Sequence, residues 1–233
     1  LTRVVNGIIM TPLTDVVNTK NRGPGPVFSK FFNLETEKQD RILNAAIKEF
    51  AQKGYDKAST NEIVKEAEIS KGLIFHYFKN KKQLFLFLFD HCIQIITDDF
   101  YKKVDLTEAD FFTRIRKAVA IKMDLLVKYP DIFKFIEEAY MDDAADIRTE
   151  IEKKVKALNE INFGKIYEGI DLSKFRDDVD IQKILKIITW TFEKLSEEEL
   201  HKAKLTPNHE IDYPAIQREA EQYFEVLTKV FYK

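Results

Sequence analysis

The sequence predicts an all-α protein, and three observations carry that prediction. Apolar residues recur three and four positions apart through most of the chain beyond residue 41, the spacing of one face of an α-helix. Glycine and proline are scarce, seven and six in 233 residues, which suits helices joined by short connections. Ser59 and Ser70 each stand immediately before a short helical pattern, where a serine acts as N-cap.

Residues 1–34 differ from the rest. They lack helical periodicity and contain Asn21-Arg22-Gly23-Pro24-Gly25-Pro26, a composition of flexible or extended chain. The reading is a flexible leader or linker. An arm that brings Arg22 and Lys30 toward a polyanion is the functional alternative.

Residues 37–53 form the first long helix, with Ile42, Leu43, Ala46, Ile47 and Phe50 on its apolar face. Gly54 is placed as the glycine that ends it, followed by Tyr55. Two short helices follow. Ser59 and Glu62 have the spacing of a capping box, and Ile63, Val64 and Ala67 give a short buried stripe. Ser70 starts the second, residues 71–78. Ile69, Ile74 and Phe78 face inward and lock the pair. Ser70, Lys71, Gly72, Leu73, His76 and Tyr77 are left to point outward.

This stretch resembles the DNA-binding domain of the TetR family of bacterial regulators. The match starts at the helix of residues 41–55. It continues through Ala58-Ser59-Thr60, Glu62-Ile63, Ala67, Ile69-Ser70-Lys71-Gly72, Ile74-Phe75, Tyr77-Phe78 and Lys81 to Leu84. It covers 44 residues without a gap. Three positions depart from the family pattern. Glu68 stands where a glycine is common in the turn, so a non-glycine residue is expected at positive φ there, at roughly 1 kcal/mol. Val64 replaces a common alanine and Phe75 a common tyrosine.

Residues 81–103 read as a long helix capped by Asn80. Residues 84–89 are apolar all round it and are expected to be buried on several sides. Further helices are expected at 108–129, 131–140, 143–167, 179–204 and 213 to the end, with Pro130 able to start the second of this run. The domain reading is therefore 1–34 leader, 35–82 helix-turn-helix domain, and 83–233 effector-binding and dimerisation domain.

The totals exclude several classes. Cys92 is the single cysteine, so no intramolecular disulfide forms and a reducing cytoplasm is the expected setting. The longest apolar run, 84–89, is far short of a membrane span. Residues 1–82 carry 14 Lys and Arg against 9 Asp and Glu, while the remainder carries 23 against 30. A basic N-terminal third on an acidic remainder fits contact with a polyanion at one end.

Candidate chemistry divides in the same way. The resemblance implies double-stranded operator DNA as partner. Thr60, Ser70, Lys71, Gly72, Leu73, His76, Tyr77 and Lys81 are the expected DNA-binding residues: hydroxyls and cations for phosphates, Lys71 for a guanine edge, Gly72 for close backbone approach. No catalytic constellation, P-loop or dinucleotide-binding glycine pattern is present in the sequence, so neither an enzyme nor a cofactor is expected. His76, His91, His201 and His209 lack the i, i+4 pairing of a helical metal site. Asp142, Asp146 and Glu150 read as acidic residues favoured by a helix N-terminus rather than as metal ligands.

The resemblance also implies a homodimer made by the last two helices, and a small-molecule pocket in the C-terminal domain. Met123, Phe133, Tyr140, Phe163 and Trp190 are the expected pocket residues. The acidic surroundings and aromatic stock suit an apolar or cationic effector. The function expected is a ligand-responsive transcriptional repressor. The competing expectation is a small-molecule-binding protein or enzyme with an inactive DNA-binding domain.

Overall fold

A computed structural model describes residues 28–162, 165–205 and 211–233. Helices dominate. In chain order they are α1 (Ser29–Phe32), α2 (Thr36–Lys57), α3 (Thr60–Glu66), α4 (Lys71–Phe78), α5 (Lys81–Lys103), α6 (Phe111–Lys128), α7 (Pro130–Met141), α8 (Ala145–Asn162), α9 (Ile181–Lys204) and α10 (Tyr213–Phe231). Two short 3-10 turns, Lys165–Tyr167 and Leu172–Lys174, lie between α8 and α9. The described residues contain no strand, only an isolated antiparallel bridge between Phe175 and Tyr232. The fold is all-α, as the periodicity predicts.

The chain divides into two compact units, residues 28–99 with 126–154, and residues 100–125 with 155–233. This division by packing crosses the expected functional boundary at 82/83. In the first unit α2 packs along α7 and against α3. Its centre is aromatic. The Phe50, Phe85 and Phe135 rings meet edge-on or tilted at 5.0–6.2 Å, and Tyr55 lies 5.2 Å from Phe85. Leu84, Phe85, Leu86, Leu88 and Phe89 of α5 are all buried, so the all-apolar run serves as core on several sides.

Gly54 interrupts α2 with φ 68° and ψ −179°, a conformation open essentially to glycine alone. The helix was expected to stop at residue 53; it resumes for one turn beyond the kink, where Asp142 Oδ2 accepts the Tyr55 amide at 2.7 Å. The other oxygen of Asp142 accepts the Ala144 amide at 2.9 Å. Asp142 thus joins the α2 kink to the α7–α8 connection. The neighbouring acids are paired too: Glu150 with Lys82 at 2.6 Å, and Asp143 with Arg148. Among the described residues no His, Cys, Asp and Glu cluster is placed to hold a metal ion.

The second unit is held at one end by Arg114, which is 1% exposed. Its guanidinium donates to the carbonyls of Leu106, Glu108, Ile166 and Glu168 at 2.6–2.9 Å. Nearby, Asp110 caps α6 by accepting the Thr113 amide at 2.8 Å and binds Lys174 at 2.9 Å. Phe111, Phe112, Phe175, Phe224 and Tyr232 pack round this end at 4.9–6.3 Å. Helices α9 and α10 pack on each other, with Phe192 and Phe224 at 4.4 Å.

Candidate nucleic-acid interface

Helices α3 and α4 are joined by a turn whose hydrogen bonds define it fully. The Ile69 amide donates to the Val64 carbonyl at 2.9 Å, and the Glu68 amide to the Lys65 carbonyl at 3.3 Å. This pair is a Schellman motif, which requires a left-handed residue after the helix. Glu68 supplies it at φ 54°, where the sequence departs from glycine. The Arg41 guanidinium lies 3.4 Å from the Glu68 carboxylate.

Ser59 and Ser70 both occupy N-cap positions in extended conformation, but neither side chain makes a capping bond. The capping box expected of Ser59 and Glu62 is therefore not formed. Glu49 of α2 takes its place: its buried carboxylate accepts the Ser59 amide at 2.8 Å and the Lys53 ammonium at 2.9 Å. The start of α3 is fixed by α2 rather than by its own first turn. No local sequence signal announces this, because Glu49 lies on the earlier helix.

Ile63, Ala67, Ile74 and Phe78 are buried between the helices. Ser70, Lys71, Gly72 and His76 are exposed, Leu73 is half-buried, and Thr60 is half-exposed at the first position of α3. A Cβ built on Gly72 would meet nothing closer than Ser70 Oγ at 4.0 Å. Nothing inside the chain demands glycine there.

Two expected contact residues are placed differently. Tyr77 was expected to face outward but is 6% exposed; Phe31 of α1 covers it with ring centroids 6.0 Å apart. The residues expected to be plain leader thus include a packed element, 28–34. Its signal was present as Phe28, Phe31 and Phe32 at helical spacing. Lys81 is half-exposed and engaged within the chain: its ammonium donates to the Asp56 carbonyl at 3.1 Å and sits 4.9 Å from the Tyr55 ring centre. Residues 1–27, with Arg22, lie outside the described residues.

The expected pocket residues fall in both units. Phe133 and Tyr140 belong to the first, and Phe133 is buried in α7. Met123 and Trp190 belong to the second, and Phe163 lies outside the described residues. Trp190 is 62% exposed. Helix α9 turns Ile184, Ile188, Phe192 and Leu195 inward, which leaves Ile187 and Trp190 on another face. Within one chain Trp190 therefore lines no interior space.

A short helix, a Schellman turn and a second short helix with an exposed polar face define a helix-turn-helix protein of the all-α class. The family model for bacterial regulatory proteins of the tetR family matches residues 42–88. The regulator YuxN of Bacillus subtilis is 30% identical over 135 residues, which span 53% of this chain and 41% of YuxN. A TetR-family regulator from Chloroflexus aurantiacus has a solved structure similar to this one, with TM-score 0.55 and 25% identity over 88% of this chain and 98% of that one. The FadR regulator of B. subtilis, solved with stearoyl-CoA, shares the fold at TM-score 0.56 and 20% identity, over 81% of this chain and 97% of that one. Residues 42–88 therefore carry a DNA-binding domain of the tetR-family type.

Proposed function

We propose that the protein is a ligand-responsive transcriptional repressor that binds a palindromic operator as a homodimer. The observation that carries the reading is the exposed face of α4. Ser70, Lys71, Gly72 and His76 stand outward on a helix that packs on α3 and buries Ile74, Tyr77 and Phe78 on its other side. Gly72 has open space where a Cβ would be, which fits a partner's backbone approaching from outside. Lys71 supplies charge for a phosphate or a guanine edge, and Ser70 and Thr60 supply hydroxyls and helix-terminal amides. Operator binding places the protein in the cytoplasm.

A single such helix contacts too few base pairs to be selective; two related by a twofold axis read a palindrome with centres about 34–36 Å apart or a multiple of that. The last two helices support this. Each carries two apolar stripes. One is buried within the chain: Ile184, Ile188 and Leu195 on α9, and Ala220, Phe224 and Leu227 on α10. The other is open: Ile187 and Trp190 on α9, and Tyr223, Val226 and Val230 on α10. A second copy of the same helix pair is the partner that would cover them as a four-helix bundle.

The effector would act by shifting populations. A conformer with α5 displaced would hold the two α4 helices off the groove spacing, and the effector would favour it. Moving the balance from 1:99 to 99:1 takes about 5.5 kcal/mol of differential binding, and operator must weaken the effector equally. The effector class is apolar or cationic; the stearoyl-CoA held by the structurally similar B. subtilis regulator makes long acyl chains the first apolar group to try.

The test is fluorescence anisotropy with duplexes selected from a random pool, against a scrambled duplex and across a salt series. The expected result is a preference of about 10³ or more and a steep loss of affinity with salt. Equal weak binding to every duplex would remove the DNA-binding function and favour a small-molecule-binding role.

A further inference from the structure

We propose that residues 28–34 form an aromatic clasp that fixes α4 on α5, which makes Phe31 a positioning residue for DNA recognition. The proposal rests on the repressor reading for its link to DNA, but the clasp itself stands on packing. Phe31 is completely buried. Its ring lies 4.9 Å from Phe78 and 6.0 Å from Tyr77, both in the last turn of α4, and 5.7 Å from Phe87 on α5. Phe28 adds contacts to Phe87 at 4.8 Å and Phe78 at 5.9 Å. Phe78 and Phe87 are themselves 5.2 Å apart. One aromatic cluster therefore joins the end of α4, the first half of α5 and the segment before α2.

The segment is anchored at its other end. Gln39 of α2 donates from its side-chain amide to the carbonyls of Leu34 at 2.8 Å and Phe32 at 3.3 Å. The clasp thus spans α2 on one side and α4 with α5 on the other.

Helix α4 needs such support. It has eight residues, and helices this short are marginal without tertiary packing. It ends at Lys79 with φ 64°, a conformation that persists only where surroundings over-determine it. Its outward face offers polar groups to a partner, so only its inward face can hold it. Aromatic pairs in these geometries contribute beyond the area they bury. With Phe31 removed, Tyr77 and Phe78 lose the cover on one side, and the outward face loses its fixed direction. Preorganised contact groups discriminate between sequences; loosely held ones bind any phosphate backbone alike.

The experiment compares the full chain with its Phe31→Ala and Phe31→Leu variants. Two readouts are taken: backbone amide exchange of residues 73–78 against residues 42–50, and the ratio of affinities for a selected over a scrambled duplex. Phe31→Ala is expected to speed exchange at 73–78 by tenfold or more, leave 42–50 unchanged, and lower the ratio by tenfold or more. Phe31→Leu is expected to keep most of both. Unchanged exchange at 73–78 would overturn the clasp. Faster exchange with an unchanged ratio would overturn the positioning role. If the parent chain prefers no duplex at all, the repressor reading fails instead, and the exchange readout alone still decides the clasp. Should Phe31→Ala not fold, Phe28→Ala at the rim of the cluster is read in the same way.

Discussion

Glu68 and Gly54 are two residues at positive φ with opposite consequences. Glu68 sits at φ 54° in the Schellman turn, and its ion pair with Arg41 is exposed at 76% of the Glu68 side chain, where such pairs contribute little. The substitution Glu68→Gly is therefore expected to raise stability by about 1 kcal/mol, read as a higher urea midpoint with an unchanged slope. Gly54 cannot be exchanged in the same spirit. Its φ of 68° with ψ of −179° excludes a side chain, and a Cβ would lie 3.4 Å from the Asp142 carboxylate. Gly54→Ala is expected to cost roughly 1–3 kcal/mol in the same measurement. The positive φ at both positions was legible in the sequence, from the helix-ending glycine and from the mismatch with the family turn. The partners were not. Asp142 binds the Tyr55 amide across 87 positions, and such a bond leaves no local trace.

Two helix starts in this chain are fixed by carboxylates, one remote and one local. Helix α3 starts on Glu49 of α2, and α6 starts on Asp110. Burial pushes the Asp110 carboxyl up, but the Lys174 ammonium and the Thr113 amide outweigh it and hold it at about 2. A carboxyl held below its ordinary 3.8 contributes stability above that value and loses it as the pH falls toward 2. Roughly 2 kcal/mol is expected to disappear in that window, and Asp110→Asn should flatten the acid limb of stability against pH. Above about pH 6 this group should contribute no slope. Arg114 is the stronger anchor. Four carbonyls converge on its guanidinium, and Arg114→Met would leave them without it. A loss of about 3 kcal/mol or more is expected from thermal unfolding. The periodicity that marks residues 108–129 as a helix said nothing of Arg114, since a charged residue reads as solvent-facing until its acceptors are known.

At the scale of the molecule, the open apolar stripe on α9 and α10 determines the expected assembly. Trp190→Glu and Val226→Glu put charges on that stripe without touching the buried one. Each is expected to shift the chain toward monomer in sedimentation and to weaken operator binding by about 10²-fold or more, because one α4 helix then binds alone. Retained dimers with both substitutions combined would move the interface elsewhere. The sequence alone determined the helical class, the order of the helices and the helix-turn-helix motif, because these follow from local spacing, capping residues and turn chemistry. It also determined that α9 and α10 have wide apolar faces. Only the tertiary structure decided which stripe of each is covered, that Tyr77 is inside and Trp190 outside, that Lys81 faces Asp56, and that 28–34 belongs to the packed domain. The reason is physical: periodicity reports that a face is apolar, but burial depends on which distant surface arrives to cover it.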